Sequence, residues 1–165
     1  MRNYVDRYVL KVPRQERAWQ TIEALVEATE LVLLEEGWEG VNTNRIAERA
    51  GVSIGTLYQY FAHKEALVGL MVERFVEGQQ QVFEDLIWER IAARSMDQEG
   101  FDLEHVLHEV IQALMRTHTT RPELSRALFM QIPATTRLGV VTIWTARSRA
   151  MVEYALRVEG VALRE

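Results

Sequence analysis

The sequence predicts an all-α protein, and three observations carry that expectation. Apolar residues recur at three- and four-residue spacing over long stretches, with no strict alternation long enough for a sheet. Prolines occur only at 13, 122 and 133, so residues 14–121 hold none of the residue that breaks helices. Glycines and capping residues stand where short helices would have to start and stop.

Composition narrows the function classes. With no cysteine, the chain has no disulfide framework, thiolate chemistry or Cys-based zinc site. No apolar run approaches the roughly 18–20 residues of a membrane span, and "MRNYVDRYVLKVPRQER" lacks the apolar core of a signal peptide. A cytoplasmic protein without membrane contact is expected. The net charge of −5 argues against a uniformly basic nucleic-acid binder. The balance is uneven, however. Arg2, Arg7, Lys11, Arg14 and Arg17 outnumber Asp6 and Glu16 at the N-terminus, and a phosphate responds to such a local patch.

The first helix is expected over about 14–36, with Ala18, Ile22, Leu25, Val26, Thr29, Val32 and Leu33 on one buried stripe. Gly37 is placed to end it in a left-handed turn, and "GWEGVN" follows as a short connection. A second helix begins near Thr43, capped by Asn42 or Thr43, and ends at Gly51. At about eight residues it is too short to stand alone and must be held by its neighbours. Ser53 caps a third short helix that ends near Tyr60, with Leu57 and Phe61 turned to the core. Two short helices joined by "AGVS" make a helix-turn-helix candidate. Leu57 and Phe61 take the inward face, which leaves Ile54, Gly55, Thr56, Tyr58, Gln59 and Tyr60 to fill the outer one.

A fourth helix can run from Lys64 to about Arg94, roughly 45 Å at ~1.5 Å per residue. "SMDQEGFD" is a polar break after it. A fifth helix is expected over about 103–119, a sixth over about 122–132 with Pro122 in its first turn, and a seventh over about 138–159.

Residues 37–67, "GWEGVNTNRIAERAGVSIGTLYQYFAHKEAL", resemble the DNA-binding region of the TetR family of bacterial transcriptional regulators. The resemblance is carried by Thr43, "IA", "AGVS", "GTLY", "YF" and "KEAL" at fixed spacing. With the first helix it covers about 50 residues. It implies an N-terminal helix-turn-helix domain over 1–63, joined by the long fourth helix to a helical effector-binding and dimerisation domain over 64–165. It further implies a homodimer that binds operator DNA and a repressor released by a small lipophilic or aromatic effector. Family members usually carry two more helices about where "VEGVALRE" ends this chain, so the usual last two helices are expected to be missing.

The resemblance places the third helix in the major groove, and the chemistry of the residues agrees. Tyr58 and Tyr60 can donate phenol protons to phosphate oxygens. Thr43 can reach a phosphate by hydroxyl and backbone N–H. Lys64 adds a cation at a helix start that itself favours anions. Gly55 lets the helix come close, and Thr56 offers a methyl and a hydroxyl. Asn44, Arg45, Ile54 and Gln59 occupy the family's variable contact positions. There Gln59 can pair with adenine and Arg45 with guanine. His63 stands where the family often has Ser, Asn or Asp as a cap. Either another group closes that helix or His63 faces the phosphate.

Elsewhere the signals are weaker. Met115, His118, Phe129, Met130, Trp144 and Met151 could line an apolar effector pocket with His118 as its polar handle, or simply pack a core. His105 and His108 do not make a metal site: a di-iron bundle needs two Glu-x-x-His motifs, and the chain has none. No cofactor is expected, and no phosphate-cradling loop or local catalytic cluster suggests an enzyme. The competing reading is a helical adaptor that uses exposed tyrosines to bind protein.

Overall fold

The computed structural model describes residues 5–94 and 119–132, with helical positions at 108, 111–112, 115–116, 142, 146, 149–150 and 153. Every regular element among them is helical. A 3-10 turn (Val5–Arg7) precedes α1 (Glu16–Gly40), α2 (Thr43–Arg49), α3 (Ile54–Tyr60), α4 (Lys64–Arg94) and α5 (Pro122–Met130). Most of the expected fifth and seventh helices lie outside the described residues.

α1 buries Ile22, Leu25, Val26, Thr29, Val32 and Leu33, as its spacing requires, while Ala18 is half-buried. Thr29 is tolerated there because its hydroxyl donates to the Leu25 carbonyl at 2.7 Å. The helix breaks at Gly37, with φ 72° and ψ −176°, a conformation essentially restricted to glycine. The expected end at Glu36 is therefore a kink, and a further helical turn from Trp38 to Gly40 occupies part of the expected loop.

α2 is capped by Asn42, whose side-chain oxygen accepts from the Arg45 N–H at 2.9 Å. It ends in a Schellman turn. The Val52 N–H donates to the Ala47 carbonyl at 3.0 Å, and the Gly51 N–H to the Glu48 carbonyl at 3.1 Å. Gly51 takes φ 68° to make this possible. α3 is capped by Ser53, which accepts from the Thr56 N–H at 3.0 Å. Leu57 and Phe61 are fully buried, anchoring a helix too short to be stable alone.

The chain divides into two compact units. One comprises residues 1–75 and 123–140, and the other 76–122 and 141–165. The first holds α1, α2, α3, the beginning of α4 and α5 from residue 123. Ile46, Leu67, Leu70 and Met71 belong to its core, and α5 buries Leu124, Ala127 and Leu128. In the second, Val76 and Gln79 of α4 are buried. No helix among the described residues is long and apolar enough to cross a membrane.

The N-terminal segment, which carries no strong pattern in the sequence, is packed. Val5 is buried, and the Tyr8 ring lies against Gly69 of α4, where a Cβ would collide with it. Arg7 and Tyr8 both donate to the Glu73 carboxylate, each at 3.3 Å. The Leu10 N–H donates to the Tyr60 carbonyl at 2.8 Å, tying the segment to the end of α3.

Candidate nucleic-acid interface

The outer face of α3 is built by elimination. Leu57 and Phe61 hold the inner face, so the intervening positions turn outward. Ile54 is 38% exposed and Tyr58 48%, and Gly55 and Gln59 are also exposed. Gly55 has no internal reason to be glycine. A Cβ there would meet only the Ser53 hydroxyl at 3.7 Å, an ordinary van der Waals contact. Its backbone is not in the positive-φ region, which holds only Gly37 and Gly51 among the described glycines.

Tyr58 and Thr43 meet. Their hydroxyl oxygens are 3.1 Å apart, linking α3 to the first residue of α2. Two hydroxyls hold two protons and use one between them, which leaves one to donate outward to an anionic oxygen. Asn44 is exposed beside Thr43.

Four expected contacts have different settings from those read in the sequence. Thr56 is half-buried, and its hydroxyl is 2.8 Å from the Ser53 hydroxyl, so it belongs to the cap of α3. The Lys64 ammonium donates to the Val41 carbonyl at 3.0 Å and sits 4.7 Å from the Trp38 ring centroid. That cation clamps the kinked end of α1 to the start of α4 and is not presented as a free charge. Arg45 donates to Glu36 at 2.7 Å and to Glu48 at 2.9 Å. The Glu36 hydrogen bond and then that of Glu48 raise its pKa above the ordinary guanidinium value. Two carboxylates thus surround the guanidinium expected to read guanine, and Arg49 is likewise paired with Glu35 at 2.6 Å. Tyr60 is half-buried, with its carbonyl engaged by Leu10.

His63 is exposed, and it does cap α4. Its Nδ1 accepts from the Ala66 N–H at 3.3 Å, a long bond for a cap. The same nitrogen lies 3.2 Å from a Glu65 carboxylate oxygen. The two contacts exclude each other, because Nδ1 accepts only without its proton and pairs with Glu65 only with it.

Three of the six candidate effector residues fall among the described residues. Met115 is 60% exposed and Met130 73%, and Phe129 is half-buried. His118, Trp144 and Met151 lie outside the described residues. Among the described residues no group of three His, Cys, Asp or Glu side chains could hold a metal. A groove of about 720 Å³ lies instead beside α3, lined by Lys11, Val12, Pro13, Arg14, Gln15, Ala18, Gln59 and Tyr60. Sequence reasoning missed the docking that builds this groove. Gly69, a glycine inside a long helix, is the local signal that could have suggested it.

Comparison with known proteins agrees with the geometry. Residues 25–71 match the family model described as bacterial regulatory proteins, tetR family. The nucleoid occlusion factor SlmA of Glaesserella parasuis is 38% identical over 69 residues, covering 40% of this chain and 33% of SlmA. The HTH-type transcriptional regulator PksA of Bacillus subtilis is 28% identical over 117 residues, covering 71% of this chain and 51% of PksA. The chain thus spans about a third to a half of the length of these curated relatives. A crystal structure of a regulator from Marinobacter aquaeolei superposes with a TM-score of 0.53 at 21% identity, covering 87% of this chain and 72% of that one.

Proposed function

We propose that this chain, whose residues 25–71 match the tetR family model, is a TetR-family repressor that binds a pseudo-palindromic operator as a homodimer. One observation carries the reading. The outer face of α3 combines an unobstructed Gly55 with the Thr43–Tyr58 hydroxyl pair, an open edge beside a proton donor. Gly55 would admit a phosphate or base edge, the hydroxyl pair would bind a phosphate, and Asn44, Ile54 and Gln59 would meet base edges.

The test is binding of the full chain to duplexes from its own genomic neighbourhood, at stated salt. Tyr58→Ala should weaken specific binding, and specific binding left intact in that variant would remove the assignment. Competition separates the adaptor reading, since a protein partner held by the exposed tyrosine would not be displaced by DNA.

Effector release is the second part of the proposal. A small lipophilic or aromatic compound bound beyond α3 would act by favouring one disposition of α4 over another. Gln79 supports it: its buried side-chain oxygen has no hydrogen-bond partner among the described residues. An unpaired buried acceptor costs on the order of 1–3 kcal/mol, which a ligand donor would recover. A screen of such compounds in which none changes DNA affinity would remove this part.

A further inference from the structure

We infer that the segment from Tyr8 to Arg14 is a second DNA-contacting element, latched to α4 through Gly69 and Glu73. The inference rests on the DNA-binding reading above and adds a surface outside the helix-turn-helix.

The latch comes first. Glu73 is a charged side chain only 1% exposed, and an unpaired carboxylate there would be costly. Arg7 supplies the opposite charge and Tyr8 a hydroxyl proton, both from residues more than sixty positions away. Gly69, one turn before Glu73, leaves the space that the Tyr8 ring fills. The Leu10 N–H then closes on the carbonyl of Tyr60, the last residue of α3. These contacts hold the backbone from Arg7 to Leu10, and the chain that continues from it lies beside the end of α3.

What the latch presents is charge. Lys11 and Arg14 are exposed, line the groove that Gln59 and Tyr60 complete, and make no hydrogen bond or ion pair among the described residues. The cations within the helix-turn-helix are already committed: Arg45 to Glu36 and Glu48, Arg49 to Glu35, Lys64 to Val41. Lys11 and Arg14 are therefore the uncommitted cations bordering Gln59 on the exposed face of α3. A polyanion seated on that face would meet them next, and the repeating phosphates of a duplex match two cations on a fixed strip.

Phosphate contacts can be counted by salt dependence, without an operator. Each neutralised phosphate contributes a slope of roughly 0.9 in the logarithm of affinity against the logarithm of salt. The probe is a 30-base-pair mixed-sequence duplex titrated with the full chain between 50 and 200 mM salt. The variants are Lys11→Ala/Arg14→Ala, Gly69→Ala, and the three together. Lys11→Ala/Arg14→Ala touches only exposed side chains and should fold normally. It should lower the slope by about 1.8 per bound chain, so that wild type loses about twelvefold more affinity than the variant across that range for each chain bound. Gly69→Ala favours helix but expels the Tyr8 ring, and should lower the slope by the same amount while touching no DNA. The triple variant should then match either parent, because both act through one element.

An unchanged slope in Lys11→Ala/Arg14→Ala overturns the inference while leaving the helix-turn-helix reading in place. A lowered slope there with a wild-type slope in Gly69→Ala overturns the latch. A wild-type chain that retains no duplex at 50 mM salt overturns both the inference and the reading beneath it.

Discussion

Replacing Gly55 by alanine should make the protein more stable and a worse DNA binder. The perturbation is one methyl group at the second position of α3. The structure gives it room, since its nearest heavy atom outside the adjoining residues would be the Ser53 hydroxyl at 3.7 Å and the backbone has an ordinary negative φ. Alanine restricts the unfolded chain and costs the folded one nothing, so stability should rise by roughly 0.4–1 kcal/mol. For a domain of this size that corresponds to roughly 1–4 °C in the thermal midpoint. On the DNA side the methyl would stand between α3 and the groove edge. Loss of one close contact should weaken binding by at least about tenfold, equivalent to ~1.4 kcal/mol. Thermal unfolding and a duplex titration on the same preparation read both quantities. Opposite signs are the signature of a glycine kept for an external partner. A variant that is less stable, or that binds DNA as well as wild type, refutes the reasoning.

Other substitutions separate structural from interface roles. Lys64→Ala removes a hydrogen bond and a cation–π contact, and should destabilise by about 1–3 kcal/mol in chemical denaturation. Its loss of DNA affinity should then follow the folded fraction and leave the salt slope unchanged. Gly51→Ala forces a side chain into φ 68° with no clash around it, so roughly 1–2 kcal/mol should be lost from the backbone alone and Gly51→Asn should recover part of it. Glu36→Gln combined with Glu48→Gln should free the Arg45 guanidinium and raise duplex affinity at low salt, with the gain shrinking as salt increases. His63→Asn should supply a better-placed acceptor for the Ala66 N–H and raise the thermal midpoint, with a gain of up to about 1 kcal/mol.

The local parts of this fold were legible because local rules govern them. Ser53 and Gly51 act within a few residues of themselves, and the periodicity of α1 needs no distant partner. The run from Lys64 to Arg94 is read directly from its freedom from proline and from the polar stretch that follows it. What escaped the sequence depends on pairings across long separations. Arg7 and Tyr8 meet Glu73 only because the chain folds back over α4, and nothing near Arg7 announces a buried carboxylate. Lys64 looked like a phosphate hook because it opens a helix, yet Trp38 and Val41 draw it inward. Arg45 looked like a guanine reader, but the kink at Gly37 leaves Glu36 positioned to bind it. His63 was legible as an unusual cap and not as the ring nitrogen that takes the role. Side-chain type alone does not say which face of a helix a residue takes: Met115 and Met130 have the right chemistry for a pocket and are exposed.

The central claim is that the exposed face of α3 touches DNA, and one measurement tests it most directly. The full chain is titrated against duplexes tiling its own genomic neighbourhood at several salt concentrations, alongside Tyr58→Ala. The account predicts one duplex bound far more tightly than the rest, with affinity falling steeply as salt rises and specific binding weakened in the variant. No duplex preferred at any salt, or a preference that survives Tyr58→Ala undiminished, would contradict it.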